Sequence, residues 1–106
     1  MMQTLLITAV LTMLSGATMQ AADTAAGKTA FDAHCKSCHG ADGTPNSAVA
    51  KMMKVDMKDL KSADVQGLSG ADIKAIVTGG KGKMTPVASV TGASADNVAA
   101  YVKSLK

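Results

Sequence analysis

Cys35-Lys36-Ser37-Cys38-His39 decides the fold. C-x-x-C-H is the attachment sequence of a c-type haem, and each residue type in it has a chemical reason. Two thiols three residues apart share one face of a helical turn, so both sulfurs can reach the vinyl groups on one edge of a single porphyrin. The next residue, His39, returns beneath the iron with an imidazole nitrogen as axial ligand. Three other readings stand beside this one. A thioredoxin-like dithiol requires a βαβ setting. A zinc site requires four ligands, and Cys35, Cys38, His39 and His34 would make a cramped, wholly local one. A structural disulfide would close a very small loop and stabilise little.

Outward from the motif, the chain of 106 residues has room for one domain. Residues 1–22 read as an export signal: Leu5-Leu6-Ile7-Thr8-Ala9-Val10-Leu11 opens an apolar run too short for the roughly 20 residues of a membrane span. Small residues follow, and cleavage is expected after Ala17 or Ala22. The run carries no Lys or Arg ahead of it, and a buried N-terminal helix is the competing reading. Residues 23–106 then form the working domain, with no membrane span. Export agrees with covalent haem, which is attached outside the cytoplasm.

That domain is poor in large apolar side chains. Phe31 and Tyr101 are its only aromatics and Trp is absent; the apolar content of the full chain, 47%, is mostly Ala, Val and Met, and part of it lies in residues 1–22. A core of this size is marginal by itself, and a flat apolar cofactor would complete it. The haem-free chain is therefore expected to fold poorly.

Three helices follow from apolar periodicity. The first covers about 25–36, with Gly27, Phe31, His34, Cys35 and Cys38 on one face. The second covers about 70–78 through Ile73, Ile76 and Val77, with Ser69 as N-cap, Asp72 in the first turn and Gly79-Gly80 as the stop. The third covers about 94–105 through Val98, Tyr101, Val102 and Leu105, with Ser94 as cap. Residues 41–51 read as loop and 52–61 as a short helix. No segment alternates at period two.

These residues together resemble a small class I bacterial cytochrome c of the monohaem type, across about 25–106. Cys35-Lys36-Ser37-Cys38-His39-Gly40 is preceded by Gly27 and Phe31 at the family's Gly-x-x-x-aromatic spacing. Gly80-Lys81-Gly82-Lys83-Met84 resembles the loop presenting a distal methionine, and Val98-Ala99-Ala100-Tyr101-Val102 resembles the C-terminal helix signature. The resemblance implies an all-α fold of three to four helices around one covalently attached haem c, with crossing N- and C-terminal helices. It implies Cys35 and Cys38 as thioether sites, His39 as proximal ligand and Met84 as distal ligand. A neutral thioether favours ferrous iron and raises the potential over bis-His ligation. Thr85 stands where the family usually has Pro directly after the Met. Met52, Met53 and Met57 read as fillers beside the haem, with Met52 or Met57 as fallback ligand. Pro45 is the proline whose carbonyl the resemblance suggests for the proximal His, and His34 reads as a partly exposed helix residue.

The charge excess belongs to residues 23–106: eleven Lys, no Arg, eight Asp and no Glu, for a net +3 and a pI near 9.0. Lys36, Lys81 and Lys83 are the lysines that the motifs bring near a haem edge. There they would steer an acidic redox partner, or serve simply as solvated surface charge. Nucleic acid is disfavoured by the missing Arg and stacking aromatics. The expected function is a soluble, monomeric periplasmic electron carrier with no enzymatic constellation. A haem-based sensor or ligand-binding cytochrome, and an electron-transfer subunit of a larger oxidoreductase, are the alternatives.

Overall fold

The computed structural model describes residues 22–106; residues 1–21 of the expected signal segment, with its cleavage after Ala17, lie outside them. Six helical segments and no strand occur among these residues. They are α1 (Thr24–His34), α2 (Lys36–His39), α3 (Ser47–Met53), α4 (Ala63–Gln66), α5 (Gly70–Gly79) and α6 (Gly92–Ser104).

The frame is α1 packed on α6, with α5 against α6 beside it. Asp23 starts α1, its carboxylate accepting from Ala26 N–H, while its own N–H donates to Asn97 Oδ1 of α6 at 2.8 Å. Gly27 lets the two helices touch: a Cβ there would stand 2.0 Å from the Asn97 carbonyl oxygen. One turn on, Phe31 and Tyr101 meet edge to face with ring centroids 5.1 Å apart, a geometry favoured by the ring quadrupoles. The two aromatics thus occupy the helix crossing, where the sequence motifs put them. Val90, Ala95, Val98, Ala99 and Val102 complete that side of the core, and Val65, Ile73 and Val77 close the other.

The second helix forms as its periodicity requires, and its start is stronger than the cap alone indicates. Ser69 Oγ accepts from Asp72 N–H while the Asp72 carboxylate accepts from Ser69 N–H, a reciprocal capping box. Two boundaries differ from the sequence reading. The last helix begins at Gly92, where the Thr91 carbonyl accepts from Ser94 and Ala95; the first turn closes on backbone alone, and Ser94 falls inside it. Residues 41–51 are not all loop, because Asn46 accepts from Ala48 and Val49 N–H and starts α3. The expected helix over 52–61 shrinks to the end of α3, which stops where Lys54 turns left-handed with φ 55°.

Two polar side chains tie the far end together. Gln66 Nε2 donates to the carbonyls of Leu60 and Val102, both at 2.8 Å. Lys103 Nζ donates to those of Gln66 and Leu68. The carbonyls of Leu60, Gln66 and Leu68 thereby gain partners without water, and that of Val102, which also accepts from Leu105 N–H, gains a second.

Candidate haem site

The C-x-x-C-H residues sit where α1 breaks into α2. Cys35 is the hinge: its N–H donates to Phe31 O, closing α1, and its carbonyl accepts from His39 N–H at 2.9 Å, opening α2. Cys35 is buried, Cys38 half-buried, and both are free thiols. Burial first, and the neighbouring Cys38 second, push the Cys35 thiol pKa up.

The turn is braced from outside. Asn46 N–H donates to the Cys38 carbonyl at 2.9 Å and Asn46 Nδ2 to the Ser37 carbonyl at 3.3 Å. Tyr101 Oη donates to Ala41 O and Leu60 N–H to Gly43 O, pinning the loop after His39. Lys61 Nζ adds bonds to Asp42 and to Thr44 Oγ1.

Cys35, Cys38 and His39 face a cavity of about 540 Å³, a size usual for a cofactor site. Its wall is largely apolar, built from residues such as Leu68, Ile73, Val77 and Val98. Met84 lines the same cavity and packs against the core. The loop carrying it is a tight reversal: Lys81 N–H donates to Met84 O at 2.9 Å, and Met84 N–H to Lys81 O at 3.0 Å. Positive φ falls on Gly82, the first central residue, as a type II′ turn requires. Gly80 is held tighter, with φ 76°, and a Cβ there would meet Met84 O at 2.7 Å and Pro86 Cδ at 2.9 Å. Pro86, one position later than the usual family placement, is thus packed against the loop's entry. Val87 N–H bonds Val77 O and returns the chain to α5.

Burial lowers the His39 pKa and so favours the neutral imidazole. Its Nδ1 is buried without a hydrogen-bond partner among the described residues. Pro45 therefore does not supply the carbonyl suggested for it. It stands at the entry to α3, where the adjacent Asn46 takes up the carbonyls of the Cys turn instead. An orphaned imidazole on an apolar wall, with two thiols and a thioether on the same cavity, is a donor set that fits a covalent haem. It does not suit the other readings. Among the described residues no three His, Cys, Asp or Glu side chains gather as a metal site, and no strand offers a βαβ frame for a dithiol.

Residues 24–106 match the family model described as cytochrome c. The chain belongs to the cytochrome c family. It is 34% identical over 91 residues to cytochrome c-554(547) of Halothiobacillus neapolitanus, covering 81% of this chain and all of that one. The solved structure of KustC0563, a c-type cytochrome, superposes with a TM-score of 0.64 at 23% identity. The match covers 76% of this chain and 96% of the other, a likeness of fold. Membership brings a covalently attached c-type haem, haem-based electron transfer and redox partners, and typical members are electron carriers. No helix among the described residues is long and apolar enough to cross a membrane.

The remaining motif residues divide. Met53 and Met57 line the cavity as fillers would, but Met52 is 77% exposed and is not on its wall. It is neither a filler nor a ligand in reserve. His34 is exposed and lies 3.3 Å from Ser89 Oγ through Nδ1. Lys81 and Lys83 stand on the cavity wall; Lys36 does not. Lys58, which no motif singled out, also lies there but is paired with Asp64 at 3.0 Å. The bond from Lys83 Nζ to Met53 O, at 2.6 Å, was not legible in any spacing.

Proposed function

We propose that Cys35 and Cys38 hold the haem through thioethers, that His39 is the proximal iron ligand and Met84 the distal one. We propose further that the protein is a monomeric periplasmic electron carrier, exported by residues 1–22 with cleavage after Ala17 or Ala22. The observation that carries the reading is that both thiols, the His39 imidazole and the Met84 thioether line one cavity, although Met84 comes from a separate segment of the chain. When bound, the haem supplies a one-electron couple between Fe(III) and Fe(II).

The chain's own residues account for the rest. Burial keeps His39 in the neutral form that ligates metal. Met84 contributes a neutral, soft donor that favours the reduced state. Val65, Ile73, Val77 and Val98 keep water from the cavity wall. Neither axial group needs to gain or lose a proton when an electron moves, which suits a carrier with no catalytic step of its own. Lys81 and Lys83 put positive charge on the rim, where an acidic partner surface would be attracted and its encounter would slow with added salt. Lys36, exposed one residue after Cys35, adds to that field from off the cavity wall.

The test is a redox titration of exported, haem-loaded protein together with exposure of the ferrous form to carbon monoxide. A single one-electron transition and no carbon monoxide adduct are expected. Ready formation of the adduct would replace the carrier reading by that of a ligand-binding cytochrome.

A further inference from the structure

Two walls of the cavity come from distant parts of the chain, and one side-chain bond joins them. Lys83 Nζ donates to Met53 O at 2.6 Å. Met53 is the last residue of α3, so its carbonyl has no partner within the helix. The backbone donors just beyond, Lys54 and Val55 N–H, go to Ala50 and Lys51. That leaves Met53 O to Lys83, whose cation suits a helix C-terminus. Lys83 is also the second central residue of the turn closed by the paired bonds between Lys81 and Met84. Its position is therefore tied to that of Met84 through one peptide and a two-bond reversal. Met53, Lys83 and Met84 all line the same cavity.

We infer that Lys83 is a positioning residue for Met84: its bond to Met53 O latches the loop of residues 80–86 onto α3 and restrains the thioether against displacement by small exogenous ligands. The inference rests on Met84 being the distal ligand. It also divides the rim lysines by role. Lys83 is committed to a carbonyl, whereas Lys81 forms no side-chain bond or ion pair among the described residues and keeps its ammonium for a partner.

The experiment titrates ferric holoprotein with imidazole, following loss of the far-red sulfur-to-iron absorption, and measures amide hydrogen exchange at Lys81 and Met84. Lys83→Leu keeps the apolar stem and removes the donor. It is expected to raise imidazole affinity about 5-fold, the scale of one modest hydrogen bond, and to speed exchange at both amides. Lys83→Arg, which still donates, should return both readouts toward wild type. Lys51→Gln removes a nearby charge of α3 that makes no such bond, and should leave both unchanged. Wild-type affinity and exchange in Lys83→Leu would overturn the latch. So would an equal effect of Lys51→Gln, which would point to charge and not to the bond. A wild-type ferric protein without the far-red absorption would fail the Met84 reading itself, and the latch with it.

Discussion

The two sides of the cavity are built on different principles. The side bearing Cys35, Cys38 and His39 is local: five consecutive residues at the junction of α1 and α2, closed by backbone bonds within one helical turn. Around it stand Asn46, Tyr101 and Lys61, each bonded to the turn or to the loop after it. The Met84 side is a short reversal between α5 and the long approach to α6. Two backbone bonds close it, Val87 anchors it to α5, and one exposed lysine fastens it across the cavity. The first side resists loss of any one contact; the second depends on a few. Small chains with covalent cofactors can tolerate that asymmetry, because a cofactor bonded on one side would stay attached if the other side loosened.

Cys38→Ala should have the largest effect on the attachment side. It should remove most covalently loaded protein, as read by haem retention after denaturing electrophoresis. Retention at the wild-type level would show that the attachment side is not local to this motif. Phe31→Ala comes next. The ring is 1% exposed and fills the crossing of α1 and α6, so holoprotein stability should fall by about 3–5 kcal/mol in denaturant unfolding, with the far-red absorption preserved under native conditions.

Gly80→Ala sharpens the contrast from the other side. The new Cβ meets Met84 O and Pro86 Cδ in a backbone region that only glycine occupies freely. The strain is on the order of 1–3 kcal/mol. Methionine ligation should weaken, with a gain in carbon monoxide binding, while covalent attachment stays intact. Equal loss of both would mean the two sides are coupled more closely than their contacts suggest.

The smallest effect belongs to Asp42, in the loop after His39. Bonds from Thr44 N–H and its side chain, followed by the Lys61 ammonium, bring its carboxyl from the ordinary 3.8 down to about 2. A carboxylate held low in the folded state stabilises it above pH 3.8, and that contribution is lost as pH falls through 3.8 toward about 2. Asp42→Asn should flatten that stretch of the stability profile. An unchanged acid transition would show that the loop's bonds do not bear on folding.

The same asymmetry governs how far the sequence could be read. The Cys turn and the helices around Ile73 and Val98 are written in spacings of three and four residues, and all are found in the structure; the meeting of Phe31 and Tyr101 is implied only by the resemblance to the family's two signature helices. The place of Met84 on the cavity wall accords with the resemblance of residues 80–84 to the family's methionine-presenting loop. What escaped depends on contacts between distant segments or on a cap hidden among loop-forming residues. Asn46 follows Pro45 in a Gly-, Thr- and Asn-rich stretch that suggests loop, yet its carbonyl side chain starts α3. Pro45 lay near His39 in sequence, but the bonding of Asn46 directs that segment elsewhere. Met52 and Met53 are adjacent and chemically identical; only the placement of α3 puts one in solvent and the other on the cavity wall. The Lys83–Met53 bond has no sequence signature at all.

If His39 and Met84 together ligate one covalently held iron, the ferric optical spectrum of Met84→Ala beside wild type will show it. Wild type should show a far-red sulfur-to-iron absorption that disappears in the variant, which keeps its covalent haem and turns high-spin. An identical spectrum in both would contradict it and pass the axial role to another group on the cavity wall, with Met57 or Met53 first in line.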